Sequence, residues 1–206
     1  MDGLAARIAD LAPASERGEW QRHVAAAHVG KALEGRKVNG RWGTKSGFPI
    51  LYLGRPTASV VVVEAYRHLV DPLEFDSLAD REQFLVTLQP RALVTCSIEV
   101  DNLVDLRTAG ARVRVGLSVQ DLTSSTDDRG AYERCQEVAN VAHQLRYNGV
   151  IAPAATGLGE ALVLFMDTLP AAQHPVSAYA PEIWSRLPED PRRPSKPALR
   201  IITTER

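Results

Sequence analysis

An arginine held between glycines, Gly40-Arg41-Trp42-Gly43, stands just ahead of a short apolar run. A guanidinium in such a loop offers a planar fork to two oxygens of a phosphate, and the adjoining Trp42 can stack on a ring. Twenty-three positions later Glu64 interrupts an otherwise apolar stretch. A carboxylate among valines needs a partner or a raised pKa, and Arg41 or a substrate hydroxyl would serve. The plain alternative makes Arg41 a surface turn residue and Glu64 a charge on a helix flank. The residues by themselves leave both readings open.

Other combinations carry less. Glu133 and Glu137 are four apart, but on the solvated face of a helix. His68 and His143 are candidate bases, although a lone helical histidine is more often a polar edge of the core. Gly157-Leu158-Gly159 lacks the third glycine of a dinucleotide fingerprint and precedes a strand instead of a helix. There is no Walker sequence and no GxSxG elbow. Cys96 and Cys135 lack CxxC or histidine spacing, so no metal site is expected, and both are read as free buried thiols.

The elements that must position these groups follow from periodicity. Leu4, Ile8 and Leu11 space as one helix face. A second helix is expected over about residues 16–33, with Trp20, Val24 and Ala27 on one side. The stretch 34–47 is rich in glycine and bases and reads as loop; residues 48–53 read as a strand. Four successive valines at 60–63 favour a strand, but Pro56-Thr57 suits a helix entrance and the run is long, so residues 57–69 are taken as a helix. Glu64 then shares a face with Val60, Val61 and His68. Strands are expected at 91–100 and within 113–119. The polar segment 121–128 leads into a helix at about 131–147 with an apolar stripe of Cys135, Val138, Ala139, Ala142 and Leu145. Asn148-Gly149 is its expected left-handed stop. Strands at 150–152 and 161–165 flank the turn 153–159. Residues 188–197 should be extended, and 199–203 a last edge strand.

The chain has 206 residues, 24 Lys and Arg against 25 Asp and Glu, and 45% hydrophobic residues. This balance fits one domain with a real core and argues against direct nucleic-acid binding, which needs a basic excess. No apolar run is long enough to span a membrane. The first residues lack the apolar centre of a signal peptide, so a cytoplasmic location is expected.

Gly40-Arg41-Trp42, the strand Pro49-Ile50-Leu51-Tyr52-Leu53 and Val62-Val63-Glu64 follow one another along the chain. They continue with Asp121-Leu122-Thr123, the helix around Gln136, Gly149-Val150-Ile151-Ala152-Pro153-Ala154 and Leu162-Val163-Leu164-Phe165. This order of segments resembles the RES-domain family. The resemblance implies a single α+β domain similar to ADP-ribosyltransferases, with small twisted sheets and surrounding helices. Its core would span about 35–169, between N-terminal helices at 1–34 and a Pro- and Arg-rich extension at 170–206. It further implies a toxin of a toxin–antitoxin pair that cleaves NAD at the nicotinamide–ribose bond by hydrolysis or phosphorolysis. NAD is then substrate and no cofactor is needed. The partner would be an antitoxin with an Xre-like helix-turn-helix part; oligomeric state is left open.

On this resemblance Arg41 and Glu64 are the catalytic pair, and Trp42, Tyr52, Ala154 and Thr156 contact the substrate. One departure matters: the family serine falls on Ala154. Thr156 is the nearest hydroxyl, with Ser124 and Ser125 more remote. Two alternatives therefore accompany the NAD-cleaving reading. One is an ADP-ribosyltransferase that modifies a protein. The other is a non-catalytic member that binds a nucleotide or a partner.

Overall fold

A computed structural model describes residues 3–124 and 129–193. Its backbone is organised by one long strand, β3 (Arg91–Asp105), which pairs antiparallel with β1 (Ala14–Ala25) from Ala14↔Leu103 to Ala25↔Arg91. β1 also meets β2 (Ile50–Arg55) at Gln21↔Gly54. β2 continues through β5 (Glu160–Phe165) to β4 (Gly149–Pro153), and β4 lies parallel to β3. The path β1-β2-β5-β4-β3 thus returns to β1, and the strands form one sheet closed on itself. Two short strands, β6 (Val176–Ser177) and β7 (Glu182–Trp184), add to β3. Mixed helices and sheet in one domain agree with the expected α+β class.

Alternation along the strands divides the core in two. Trp20, Leu51, Leu53, Cys96, Ile98, Leu103, Ile151, Leu162 and Leu164 fill one face. Val104, Val150, Ala152, Val163 and Phe165 turn the other way. They pack against helix α1 (Gly3–Ala9) and the long helix running Arg129–Gln144. That helix buries the predicted stripe through Cys135, Val138, Ala139 and Ala142, with Leu145 partly buried beyond its end, and leaves Glu133 and Glu137 exposed. Each fully buried aliphatic side chain contributes about 1.5–3 kcal/mol relative to exposure. Both cysteines are free and buried, and burial pushes each thiol up to about 11.

Three expectations are corrected. Residues 16–33 are not a helix: 14–25 form β1, and only Ala26–Lys31 make a 3-10 turn. Trp20 and Val24 are four apart, a spacing that shares a face in a strand as well as in a helix; pairing with β3 decides between them. The N-terminal region therefore holds one helix, α1, and not two. Residues 113–119 are not a strand, because Thr108 and Ser118 cap short helices there. The left-handed residue after the long helix is Arg146, with φ 65°, and not Asn148-Gly149. Gly149 sits inside β4, where a Cβ would come within 2.2 Å of the Val163 carbonyl oxygen. Gly149→Ala is expected to cost at least about 2 kcal/mol by overpacking, read as a lower denaturant midpoint; an unchanged midpoint would contradict this packing.

The helix expected at 57–69 forms in two parts. A π-helical turn, Thr57–Val62, leads into helix α2 (Val63–Leu69). Helix α3 (Leu78–Thr87) follows, then α4 (Ala109–Arg114), α5 (Val119–Thr123) and the long helix, α6. The stretch expected to be extended at 188–197 turns within its described part, where the Arg193 N–H donates to the Asp190 carbonyl at 3.0 Å. The edge strand expected at 199–203 lies outside the described residues. No described helix is long and apolar enough to cross a membrane.

Candidate functional site

The loop that carries Arg41 is built to close tolerances. Gly40 and Gly43 exchange backbone hydrogen bonds of 2.9 and 3.4 Å. Gln136 on α6 donates to both of their carbonyls, at 2.8 and 3.2 Å. The Trp42 N–H donates to the Tyr52 hydroxyl at 2.9 Å. A Cβ on Gly40 would lie 2.9 Å from that hydroxyl, and one on Gly43 would lie 2.3 Å from Ile50 Cδ1. Only glycine permits this approach at the two flanking positions.

Arg41 is only 7% exposed. Its Nη1 donates to the Asp121 carbonyl and, at 3.0 Å, to Ser124 Oγ; its Nη2 donates to the Ser124 carbonyl at 2.7 Å. The guanidinium lies 4.6 Å from the centre of the Tyr132 ring, within cation–π range. The acceptors stand at the end of α5, whose last carbonyls have no partner within the helix. α5 in turn begins with a reciprocal cap between Ser118 and Asp121. Burial would raise the Asp121 carboxyl pKa, but hydrogen bonds from the Ser118 amide and hydroxyl, with Arg134 beside it, outweigh burial and hold it below the usual range.

Helix α2 supplies the opposing groups. Glu64 is half-buried, and its Oε1 is buried with no hydrogen-bond partner among the described residues. Arg67 Nε stands 4.0 Å from Oε1, and His68 Nδ1 stands 3.5 Å from Oε2. Arg67 donates to the Ala155 carbonyl and, at 3.2 Å, to the same Ser124 carbonyl that receives Arg41. Two arginines from distant parts of the chain therefore converge on one backbone oxygen.

These groups enclose one cavity of about 570 Å³, within the usual size of a ligand pocket. Arg41, Trp42, Tyr52, Glu64 and Ala154 all line it, so the structure brings together five of the six residues expected from the sequence. Arg41 and Glu64 share the cavity without forming an ion pair, because the Arg41 hydrogen bonds run to α5 and Ser124. Trp42 is 3% exposed and belongs largely to the core. Tyr52 is also deeply set, and burial pushes its phenol well above the ordinary value. Tyr132 is raised in the same direction by burial.

Thr156 is the sixth, and it does not line the cavity. Its hydroxyl donates to the Leu158 carbonyl at 3.0 Å and accepts the Leu158 N–H at 3.3 Å, which uses it within its own turn. Ser124 serves as an anchor for Arg41; Ser125 lies outside the described residues. His68 stands at the cavity, whereas His143 stacks on Phe48 at 3.9 Å and pairs with Asp167, away from the lining.

Sequence reasoning missed Arg67, although it lies three residues after Glu64 on the helical face already drawn. It also missed Gln21, Arg22 and His23, which line the cavity from β1. A helix assigned at that point hid the strand that carries them to the cavity. Tyr132 and Gln136 lie at the start of α6, on the flank between its buried and solvated stripes.

The family model for the RES domain matches residues 10–185. The match reaches beyond the 35–169 expected from the motifs and takes in β1 and the strands after β5. Among curated proteins none matches. Among solved structures, a chain of the M. tuberculosis MbcT–MbcA toxin–antitoxin complex is similar, with 26% sequence identity and a TM-score of 0.72. The similarity covers 89% of this chain and 92% of that chain.

Proposed function

The chain belongs to the RES-domain family, and from that premise we propose that it is the toxin of a toxin–antitoxin pair, an enzyme that cleaves the nicotinamide–ribose bond of NAD. The observation that carries this reading is Glu64 Oε1, which has no hydrogen-bond donor among the described residues and is buried in a cavity whose other charged walls are arginines. A buried acceptor without a donor is costly, and a ribose hydroxyl supplies one. Arg41 and Arg67 face the same space, and a pyrophosphate supplies the negative charge they suit. The likeness to one chain of a toxin–antitoxin complex supports the toxin role and an antitoxin partner; the Xre-like character of that partner is carried by the family resemblance.

The chemistry divides simply. The C–N bond breaks and its electron pair leaves with nicotinamide, so positive charge develops on the ribose carbon. Glu64 stabilises that charge and holds the hydroxyls. Water or phosphate then forms the new bond to the ribose carbon, and the nucleophile's proton passes to solvent. Arg41 and Arg67 hold the pyrophosphate, while Tyr52, Tyr132 and the edge of Trp42 give the aromatic walls. Expression in cells is the test: the wild-type protein should lower cellular NAD and arrest growth. Arrest with undiminished NAD would contradict the reading.

A second reading has its own observation. Ala154 lines the cavity at 1% exposure and offers no hydroxyl there, which fits a member that binds a nucleotide without turning it over. Substitutions separate the two. Ala154→Ser is expected to raise NAD cleavage about 2- to 13-fold, the worth of one added hydrogen bond. Thr156→Val should leave cleavage within about twofold, because its hydroxyl serves the turn. A wild type without turnover would favour the binding role, and a large loss in Thr156→Val would show that the turn rearranges to deliver the hydroxyl.

A further inference from the structure

His23 projects from β1 into the cavity beside Gln21 and Arg22. Its Nδ1 receives two donors from Arg91, Nε at 3.2 Å and Nη2 at 2.9 Å. A guanidinium has no acceptor, so Nδ1 must be a bare lone pair and the single ring proton must sit on Nε2. Nε2 has no hydrogen-bond partner among the described residues. We propose that His23 is a hydrogen-bond donor to an oxygen of the ligand, and that Arg91 is the positioning residue that fixes it in this role.

The surroundings support a fixed neutral ring. The charged and titratable groups around His23 are Arg91 from β3, Arg22 beside it on β1, and His68 from α2; the Glu64 carboxylate lines the same cavity. Burial, then Arg91, then His68 and Arg22 disfavour the imidazolium, and the pKa is held down to about 3. Arg22, itself pushed down to about 10 by burial and by Arg36, stays charged at neutral pH. The ring therefore neither takes up nor gives up a proton near neutrality. It offers one N–H in an electropositive corner, which suits an oxygen acceptor. In a nicotinamide dinucleotide the acceptors other than the ribose oxygens, which Glu64 serves, are the carboxamide and the pyrophosphate. A second unpartnered acceptor, the buried Gln21 Oε1, lines the same wall.

The inference rests on the nucleotide reading of the cavity, but its first test does not. Nitrogen-15 NMR of the histidine rings in the ligand-free protein should show His23 as the Nε2–H tautomer, neutral down to pH 5. An Nδ1–H tautomer, or titration above pH 5.5, would overturn it. Added NAD should then shift the Nε2–H signal. Nicotinamide alone reproduces the shift if the carboxamide is the acceptor, and ADP-ribose does so if it is the pyrophosphate. NAD that moves the Trp42 and Tyr52 signals but not His23 would refute the assignment. NAD that moves none of them would refute the nucleotide reading itself, and the assignment with it. In turnover, His23→Phe should raise KM about 2- to 13-fold with little change in kcat. Arg91→Glu, whose carboxylate would accept a hydrogen bond from an Nδ1–H and so favour the imidazolium, should introduce a new ionisation into the pH profile between about pH 5 and 7. Arg91→Lys, still a donor only, should keep the wild-type profile. A flat profile in Arg91→Glu would assign Arg91 a purely structural part.

Discussion

Glu64→Gln is expected to reduce NAD consumption by at least about 100-fold, the usual scale for removing one preorganised electrostatic group from a transition state. The substitution keeps size and shape and removes the charge. Among the described residues the half-buried carboxylate accepts no hydrogen bond at Oε1 and makes only the long contacts to Arg67 at 4.0 Å and His68 at 3.5 Å, so the fold gives up little when the charge goes. The variant should therefore unfold at a denaturant concentration close to the wild type, with NAD still bound. Loss confined to kcat marks a group that acts in the transition state. Wild-type turnover in Glu64→Gln would make the carboxylate structural.

Arg41→Ala should do harm twice. It removes a phosphate fork from the cavity, and it takes the guanidinium donor from the Asp121 carbonyl and leaves the Ser124 carbonyl to Arg67 alone. Loss of hydrogen bonds from a charged donor costs about 1.5–3 kcal/mol, so a fall of that size in unfolding free energy is expected beside a fall of at least about 100-fold in kcat/KM. Ser124→Ala separates the effects. It removes the 3.0 Å hydroxyl contact to Arg41 and the hydroxyl's own 3.3 Å bond to the Asp121 carbonyl, and keeps the carbonyl that anchors Arg41. That variant should lose about 1 kcal/mol and retain most turnover. If Arg41→Ala unfolds normally and turns over NAD within threefold of wild type, the loop is a surface turn, as the plain alternative has it.

The site was more legible in the sequence than the frame around it. Arg41 announced itself because glycines on both sides leave few reasons for a bulky cation, and Gly40 and Gly43 prove to be needed for contact with Tyr52 and Ile50. Glu64 stood out against valines, and two of them, Val60 and Val61, do line the cavity with it. β1 was misread because Trp20 and Val24 satisfy both periodicities, and because its pairing partner lies about seventy residues away, as in Trp20↔Cys96. That error hid Gln21, Arg22 and His23. The convergence of Arg41 and Arg67 on Ser124 could not be seen at all, since it depends on backbone carbonyls at a helix end and no side-chain type records them. The missing hydroxyl at Ala154 was legible, but its replacement by Thr156 was not supported, because a local turn captured that side chain first.

Cleavage of the nicotinamide–ribose bond in this cavity can be read directly. The direct measurement is product analysis of NAD incubated with the purified protein, with and without phosphate. Nicotinamide should be released in step with NAD loss, with ADP-ribose as the other product in water or its phosphorylated form when phosphate attacks, and neither product should form with Glu64→Gln. Intact NAD after prolonged incubation with folded wild-type protein under both conditions would contradict cleavage in this cavity.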